Sequence, residues 1–194
     1  MNGRRVAVII ATDGLPSEKG DFDPKVACDN FVRALKSLEA LPVWIVIRLC
    51  TNERNVVEFY QDLDDQLELP IELLDDFVSE GREVYRKNKW LNYALPLHRC
   101  RELGLRHRVF DLIDEALLSK DQLRDFCAFL FGVDKRDIPD AQINWSAFTE
   151  KISRLLEGES EQWNPVQNKL TPWIDMALLE KCYGTGTSCD CTIL

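Results

Sequence analysis

The chain has 194 residues, of which 45% are hydrophobic, and its formal net charge is -9. This length and apolar content support one main domain with a substantial core, and the negative charge disfavours binding to nucleic-acid phosphates. The 7 cysteines are an odd number without a C-x-x-C pair, and only 2 histidines are present. We therefore expect reduced thiols in a cytoplasmic protein and no structural zinc site.

The first part of the chain carries the pattern strand, helix, strand. Residues 6–11 form a short apolar run rich in β-branched side chains, which is typical of a parallel strand buried on both faces. Asp23-Pro24 supplies a cap and a first-turn proline for a helix to about residue 40, and Leu41-Pro42 ends it. Residues 43–49 form a second apolar run. Together these elements predict a right-handed crossover in a parallel sheet.

Further elements follow along the chain. Residues 53–66 predict a helix, and residues 69–73 predict a short third strand. Ser119 and Gln122 have the spacing of a capping box and open a helix that ends at Phe131-Gly132. Three helical patterns lie in between, with Gly104 as a stop between the second and the third: 78–87, 93–103 and 109–117.

From Asp134 onward, prolines and tryptophans punctuate shorter segments. Asn144 is a cap for a helix to about residue 157, and Thr171-Pro172 begins another that ends near Gly184. The predicted fold class is α/β, a partial doubly wound (Rossmann-like) parallel sheet of two or three strands flanked by helices, with a C-terminal helical extension. The predicted domains are an α/β domain, a helical, tryptophan-rich extension and a flexible tail: 1–132, 133–184 and 185–194.

Several motifs resemble von Willebrand factor A domains. The strand at 6–11 followed by Thr12-Asp13-Gly14 is similar to the strand that ends with Thr-Asp-Gly in that family. The resemblance covers the later half of the family fold, about residues 5–115. Beyond it, three segments resemble a variant of the domain found in large families of unicellular eukaryotes: 88–102, 162–165 and 172–174. The order of these motifs in one chain supports the resemblance.

The resemblance implies a magnesium site at the carboxyl end of the sheet, in which Asp13 corresponds to the aspartate of the third of three loops. The first loop of the family carries Asp-x-Ser-x-Ser, which this sequence lacks. A hard cation takes several oxygen ligands. We therefore expect an incomplete metal site and no cofactor in the isolated chain, with Mg2+ bound only where the missing ligands are supplied. A truncated, non-functional fragment stays open as an alternative.

The predicted binding surface lies at the ends of the first two strands, because open α/β sheets bind ligands at the carboxyl ends of their strands. Asp13 and Gly14 follow the first strand, and Thr51 and Asn52 follow the second. With the resemblance, this arrangement predicts a non-enzymatic protein-interaction module that binds a protein partner.

A hydrolase that uses Asp13 with an acid from another loop is the alternative class. Asp75-Asp76 and Asp114-Glu115 are acid pairs, although such pairs are more often solvated helix faces or caps. His98 and Cys100 lie two residues apart in a helical stretch and point in different directions, so His98 is interpreted as a surface or half-buried structural residue. No nucleophile elbow or glycine-rich phosphate loop occurs, and we predict that the chain is not an enzyme.

The C-terminal residues Cys191-Thr-Ile-Leu194 fit the C-a-a-X pattern with a final leucine, which is typical of a geranylgeranyl acceptor. The pattern predicts a prenyl group on Cys191, and Cys189 is a candidate for a second, acyl chain. Stable anchoring usually needs two such signals. We expect a cytoplasmic protein that associates peripherally with the cytoplasmic face of a membrane through this anchor.

Overall fold

The computed structural model describes residues 6–17, 23–51, 53–105 and 107–184, apart from the side chains of residues 64 and 65. These residues form two compact units. Unit 1 comprises the residues up to Asp76 together with Arg99–Leu105, and unit 2 comprises Phe77–His98 and the residues that follow 106. The first domain predicted from the sequence ends at residue 132, where the two units do not divide. The predicted domain boundaries stay a prediction.

Unit 1 contains a parallel sheet of three strands, β1 (Val6–Thr12), β2 (Val43–Leu49) and β3 (Ile71–Leu74), in the order β1-β2-β3. Helix α1 (Pro24–Lys36) connects the first two strands, and α2 (Arg54–Gln66) connects the last two. The α/β class and the parallel sheet flanked by helices are therefore confirmed.

Helix α1 begins where the sequence predicts. The Asp23 carboxylate accepts a hydrogen bond from the Lys25 amide at 2.9 Å, and Pro24 occupies the first turn. Both helices pack on the sheet face that carries Ile45, Ile47 and Leu49. The main core consists of buried residues from β2, both helices and the segment before β3: Leu35, Ile45, Ile47, Leu49, Val56, Tyr60, Leu63, Leu67 and Leu69.

Strand β1 is parallel to β2 as predicted, but the prediction that it is buried on both faces is wrong. Among the described strands it pairs with β2 alone, so it forms an edge of the described sheet. Val8 and Ile10 pack against the main core. Val6 is 58% exposed and Ile9 is 48% exposed. Burial depends on what covers a strand, and an apolar run does not reveal this.

The other sheet face of unit 1 carries a smaller buried cluster of Trp44, Val46 and Leu74. Gly104, in the segment Arg99–Leu105, has a φ of +72°, and a Cβ there would lie 3.1 Å from Trp44 Cδ1. The predicted stop at this glycine is confirmed, since only glycine adopts this conformation without strain. Glu102, which is 6% exposed, forms a 2.6 Å salt bridge with Arg48 of β2.

Unit 2 is mainly helical and is built around the fully buried aromatic side chains Trp90, Tyr93, Phe110, Phe126 and Phe148. The last turn of α4 belongs to unit 1. A short 3-10 helix spans Lys135–Asp137. The helices and strands in chain order are α3 (Phe77–Lys87), α4 (Leu95–Glu102), α5 (Arg108–Asp111), α6 (Lys120–Phe131), α7 (Trp145–Leu156), β4 (Gln162–Asn164), β5 (Lys169–Thr171) and α8 (Met176–Tyr183).

The predicted helix caps of unit 2 are confirmed at two helices. Ser119 and Gln122 form a reciprocal capping box at the start of α6, with bonds of 3.3 and 2.8 Å. Gly132 ends α6 with a φ of +63°. Asn144 caps α7 by accepting a hydrogen bond from the Ala147 amide at 2.9 Å. These ends are fixed by local side chains, which explains why the sequence reveals them.

Two predictions for this part of the chain are wrong. The helix predicted at 109–117 is only α5, and turns replace its second half. Thr171-Pro172 does not begin a helix, because Thr171 ends β5 and pairs with Gln162 of β4. Helix α8 begins later, where Asp175 accepts a hydrogen bond from the Leu178 amide at 3.0 Å. The extension therefore ends in a helix but also contains a two-stranded antiparallel hairpin.

Candidate functional site

The carboxyl ends of β1 and β2 lie side by side in unit 1. The Cys50 amide donates a hydrogen bond to the Thr12 carbonyl at 2.8 Å, which ties the two strand ends together. Asp13, Gly14 and Thr51 therefore lie at one edge of the sheet, as the sequence predicts. We refer to these three residues as the loop edge.

The loop after β1 is held by a turn and by a tyrosine. The Thr12 hydroxyl donates to the Gly14 carbonyl at 2.9 Å, and the Gly14 amide donates to that hydroxyl at 3.3 Å. The Tyr60 hydroxyl of α2 also donates to the Gly14 carbonyl, at 3.1 Å. Burial raises the pKa of Tyr60, so this donor stays protonated at neutral pH. The loop backbone is thus fixed without the Asp13 side chain.

The two polar side chains of the loop edge differ in their contacts. Thr51 accepts a hydrogen bond from the Glu53 amide at 3.2 Å, and it therefore serves the start of α2. The Asp13 carboxylate is exposed and forms no hydrogen bond or ion pair with the residues that the structure describes. Asp13 is thus available to a partner, whereas the Thr51 hydroxyl is already engaged.

The described residues of the loop edge do not fit a divalent cation. No group of three or more metal-binding side chains occurs in the described part of the chain. Asp13 and Asp75 follow β1 and β3, which are two strand spacings apart, or about 10 Å. A hard cation takes several oxygen ligands, which two carboxylates at this backbone separation do not supply by themselves. We therefore assign no metal chemistry to Asp13 in this chain.

The interpretation of His98 as a surface or half-buried residue is wrong, because its exposed fraction is 1%. The Tyr93 hydroxyl lies 3.4 Å from its Nδ1 atom, and the Phe77 ring centroid lies 5.5 Å from the imidazole centroid. This aromatic environment within unit 2 explains the burial. His98 is a core residue.

The cysteines in the described ranges form no disulfide bonds with one another. Cys127 of α6 is fully buried, and burial raises the pKa of its thiol far above the usual value. A buried thiol of this kind is a poor nucleophile because the thiolate is the reactive form.

Unit 2 contains a groove of about 760 Å³ that the sequence patterns do not predict. Its floor joins two segments far apart in the chain, which pair through an antiparallel bridge between Leu91 and Ile174. The Asn92 amide donates to the Trp173 carbonyl at 2.9 Å. Each segment contains one tryptophan, Trp90 or Trp173, which the sequence shows, but the pairing of the segments exists only in the folded chain.

The hairpin β4–β5 forms one side of this groove. Asn92, which is 3% exposed, donates through its side-chain amide to the carbonyls of Gln162 and Thr171, at 3.1 and 3.3 Å. Trp163 and Leu170 are cross-strand partners that are 49% and 59% exposed. Trp163 is therefore not part of the buried core of unit 2. The hairpin presents an apolar pair to solvent.

Three predicted site residues, Asn52, Cys189 and Cys191, lie outside the described residues. The predicted lipid anchor therefore stays a prediction. Within the described ranges, no helix combines the length and the apolar character needed to cross a bilayer.

The described elements define an α/β protein with a three-stranded parallel sheet and a largely helical second unit. No protein-family model matches the chain, and neither a curated protein nor a solved structure matches it. The resemblance to von Willebrand factor A domains stays a prediction, and the function must be argued from the geometry of the chain.

Proposed function

We propose that the chain is a non-enzymatic protein-interaction module that binds a protein partner through the loop edge. One observation carries this proposal: the backbone of the loop is fixed by Thr12 and Tyr60, while the Asp13 carboxylate is exposed and unpaired among the described residues. A loop that is already ordered loses little conformational entropy on binding. An exposed charge on it selects a partner surface of the opposite sign.

The finer fold assignment belongs to the same proposal. We infer a doubly wound, Rossmann-like sheet related to von Willebrand factor A domains. The parallel order β1-β2-β3 matches one half of such a sheet, with α1 and α2 on one face of β2 and Glu102 on the other. In such sheets the carboxyl ends of the strands are the usual binding edge, where the loop edge lies.

Reversing the charge of Asp13 tests the proposed surface. We expect Asp13→Lys to reduce the capture of at least one specific partner from a cytoplasmic extract by about tenfold, because like charges then meet at the interface. The measurement is quantitative mass spectrometry of proteins retained by the immobilised full chain. The fold should be unchanged, since the hydrogen bonds of the loop involve Thr12, Gly14 and Tyr60 instead.

The matched control is Asp62→Lys, which makes the same charge change at an exposed position of α2. It should leave the capture of that partner unchanged. If both variants retain every partner of the wild-type chain equally, the loop edge is not the binding surface.

The proposal also includes peripheral attachment to a membrane through a prenyl group on Cys191. Mass spectrometry of the chain isolated from its own cells should show a C-terminal peptide whose mass includes an isoprenoid and lacks the last three residues. Cys191→Ser should abolish this mass shift and move the chain to the soluble fraction. An unmodified native C-terminal peptide would refute the anchor.

A further inference from the structure

The groove of unit 2 combines an apolar floor with an acidic rim. Its floor includes the buried side chains of Trp90, Leu91, Trp173 and Ile174. Leu170 extends this apolar surface onto the hairpin, where its cross-strand partner Trp163 lies beside it. The volume of the groove lies in the range that is usual for ligand sites. Exposed tryptophans are also enriched among the residues that dominate binding energy.

The charges around the groove are unequal. Four carboxylates line it, against only the two ammonium groups of Lys89 and Lys169. None of the six groups forms an ion pair with a residue in the described ranges. The carboxylates belong to exposed residues: Glu157, Glu159, Glu161 and Asp175. The groove therefore has a net negative charge that its own lysines do not neutralise locally.

We propose that this groove binds a short peptide segment of a protein partner that presents a basic side chain next to an apolar one. The apolar side chain would cover the exposed pair Leu170 and Trp163 on the hairpin, which removes apolar surface from water. The lysine or arginine would pair with the acidic rim. An anionic ligand is disfavoured by the same charges. This site is separate from the loop edge and goes beyond the function proposed for it.

Selection from a phage-displayed library of random short peptides on the immobilised full chain tests the proposal. We expect the selected sequences to carry lysine or arginine beside a large apolar residue. A synthetic peptide of the consensus sequence should bind the full chain in fluorescence anisotropy, and its affinity should fall as salt is added. Acidic or uncharged consensus sequences, or a library that yields no binder, would overturn the proposal.

Variants of the rim locate the bound peptide. The double variant Glu157→Lys/Glu161→Lys should weaken binding of the consensus peptide by about tenfold or more, since two favourable charge pairs become repulsive. Leu170→Ser should also weaken binding, because it removes an exposed apolar side chain without changing the charge of the groove. Glu115→Lys, an exposed acid of unit 2 outside the groove, is the control and should bind the peptide like the wild type. Unchanged binding by the double variant would exclude the groove.

One further variant separates this proposal from the proposed function. Asp13→Lys should bind the consensus peptide with wild-type affinity, because Asp13 does not line the groove. Loss of peptide binding in Asp13→Lys would therefore contradict the groove as the site. A failure of the loop edge to bind a partner would leave the peptide result untouched.

Discussion

Replacing Asn88 by alanine should lower the free energy of unfolding by about 3–5 kcal/mol. Asn88 is completely buried directly after α3. Its side-chain amide donates to the backbone carbonyls of Ile113 and Ala116, at 2.7 and 2.9 Å. Its side-chain oxygen, Oδ1, accepts from the Leu118 amide at 3.3 Å. Alanine would leave the Ile113 carbonyl and the Leu118 amide buried and without this partner, and each such group costs about 1–3 kcal/mol.

Denaturation by urea, followed by tryptophan fluorescence, measures this loss, because four of the five tryptophans lie in unit 2. Hydrogen exchange should locate it in the peptides around residues 113–118. The matched control is Asn55→Ala, an exposed asparagine of α2, which should change stability by less than about 0.5 kcal/mol. Equal, small effects of both substitutions would mean that the Asn88 side chain does not stabilise unit 2.

The conservative variant Asn88→Asp adds a test that depends on pH. An ionised carboxylate would face two carbonyl oxygens in a buried site, so its pKa should be raised in the folded state above the unfolded value of about 3.9. The destabilisation relative to wild type should then be smallest below about pH 4 and should grow as the pH rises toward the raised pKa. A difference in stability that does not change with pH would contradict the buried contacts of Asn88.

A pair of isoleucine substitutions in unit 1 should give the second large effect. Ile47→Ala should cost about 2–5 kcal/mol, because Ile47 is completely buried in the main core. Ile9→Ala should cost less than about 1 kcal/mol, because Ile9 is 48% exposed on the neighbouring edge strand. Both changes remove the same atoms from adjacent strands of one sheet, so the difference reports burial rather than β propensity.

Urea denaturation gives the two free energies, and hydrogen exchange of the β1 and β2 peptides shows whether unit 1 is the part affected. Similar, large costs for both substitutions would show that another element covers the exposed face of β1. That result would restore the prediction made from the sequence, in which the strand is buried on both faces.

The local features of this chain can be predicted from its amino-acid sequence. The apolar run at β2 defines its strand to the residue, and the caps at Asp23, Ser119 and Asn144 place the starts of three helices. The sequence also predicts that Asp13 and Thr51 lie at one edge of the sheet, because parallel strands joined by helices end on the same side. These features depend on a few neighbouring residues, which is why they are visible without the fold.

Features that depend on residues far apart in the chain can be seen only in the folded structure. The exposure of Ile9, the burial of His98 and the pairing of Leu91 with Ile174 each depend on elements far away in the chain. The hairpin β4–β5 was missed because its strands have three residues each, too few to show a period. The groove forms only because these segments pack together, and the residue types along them do not reveal that packing.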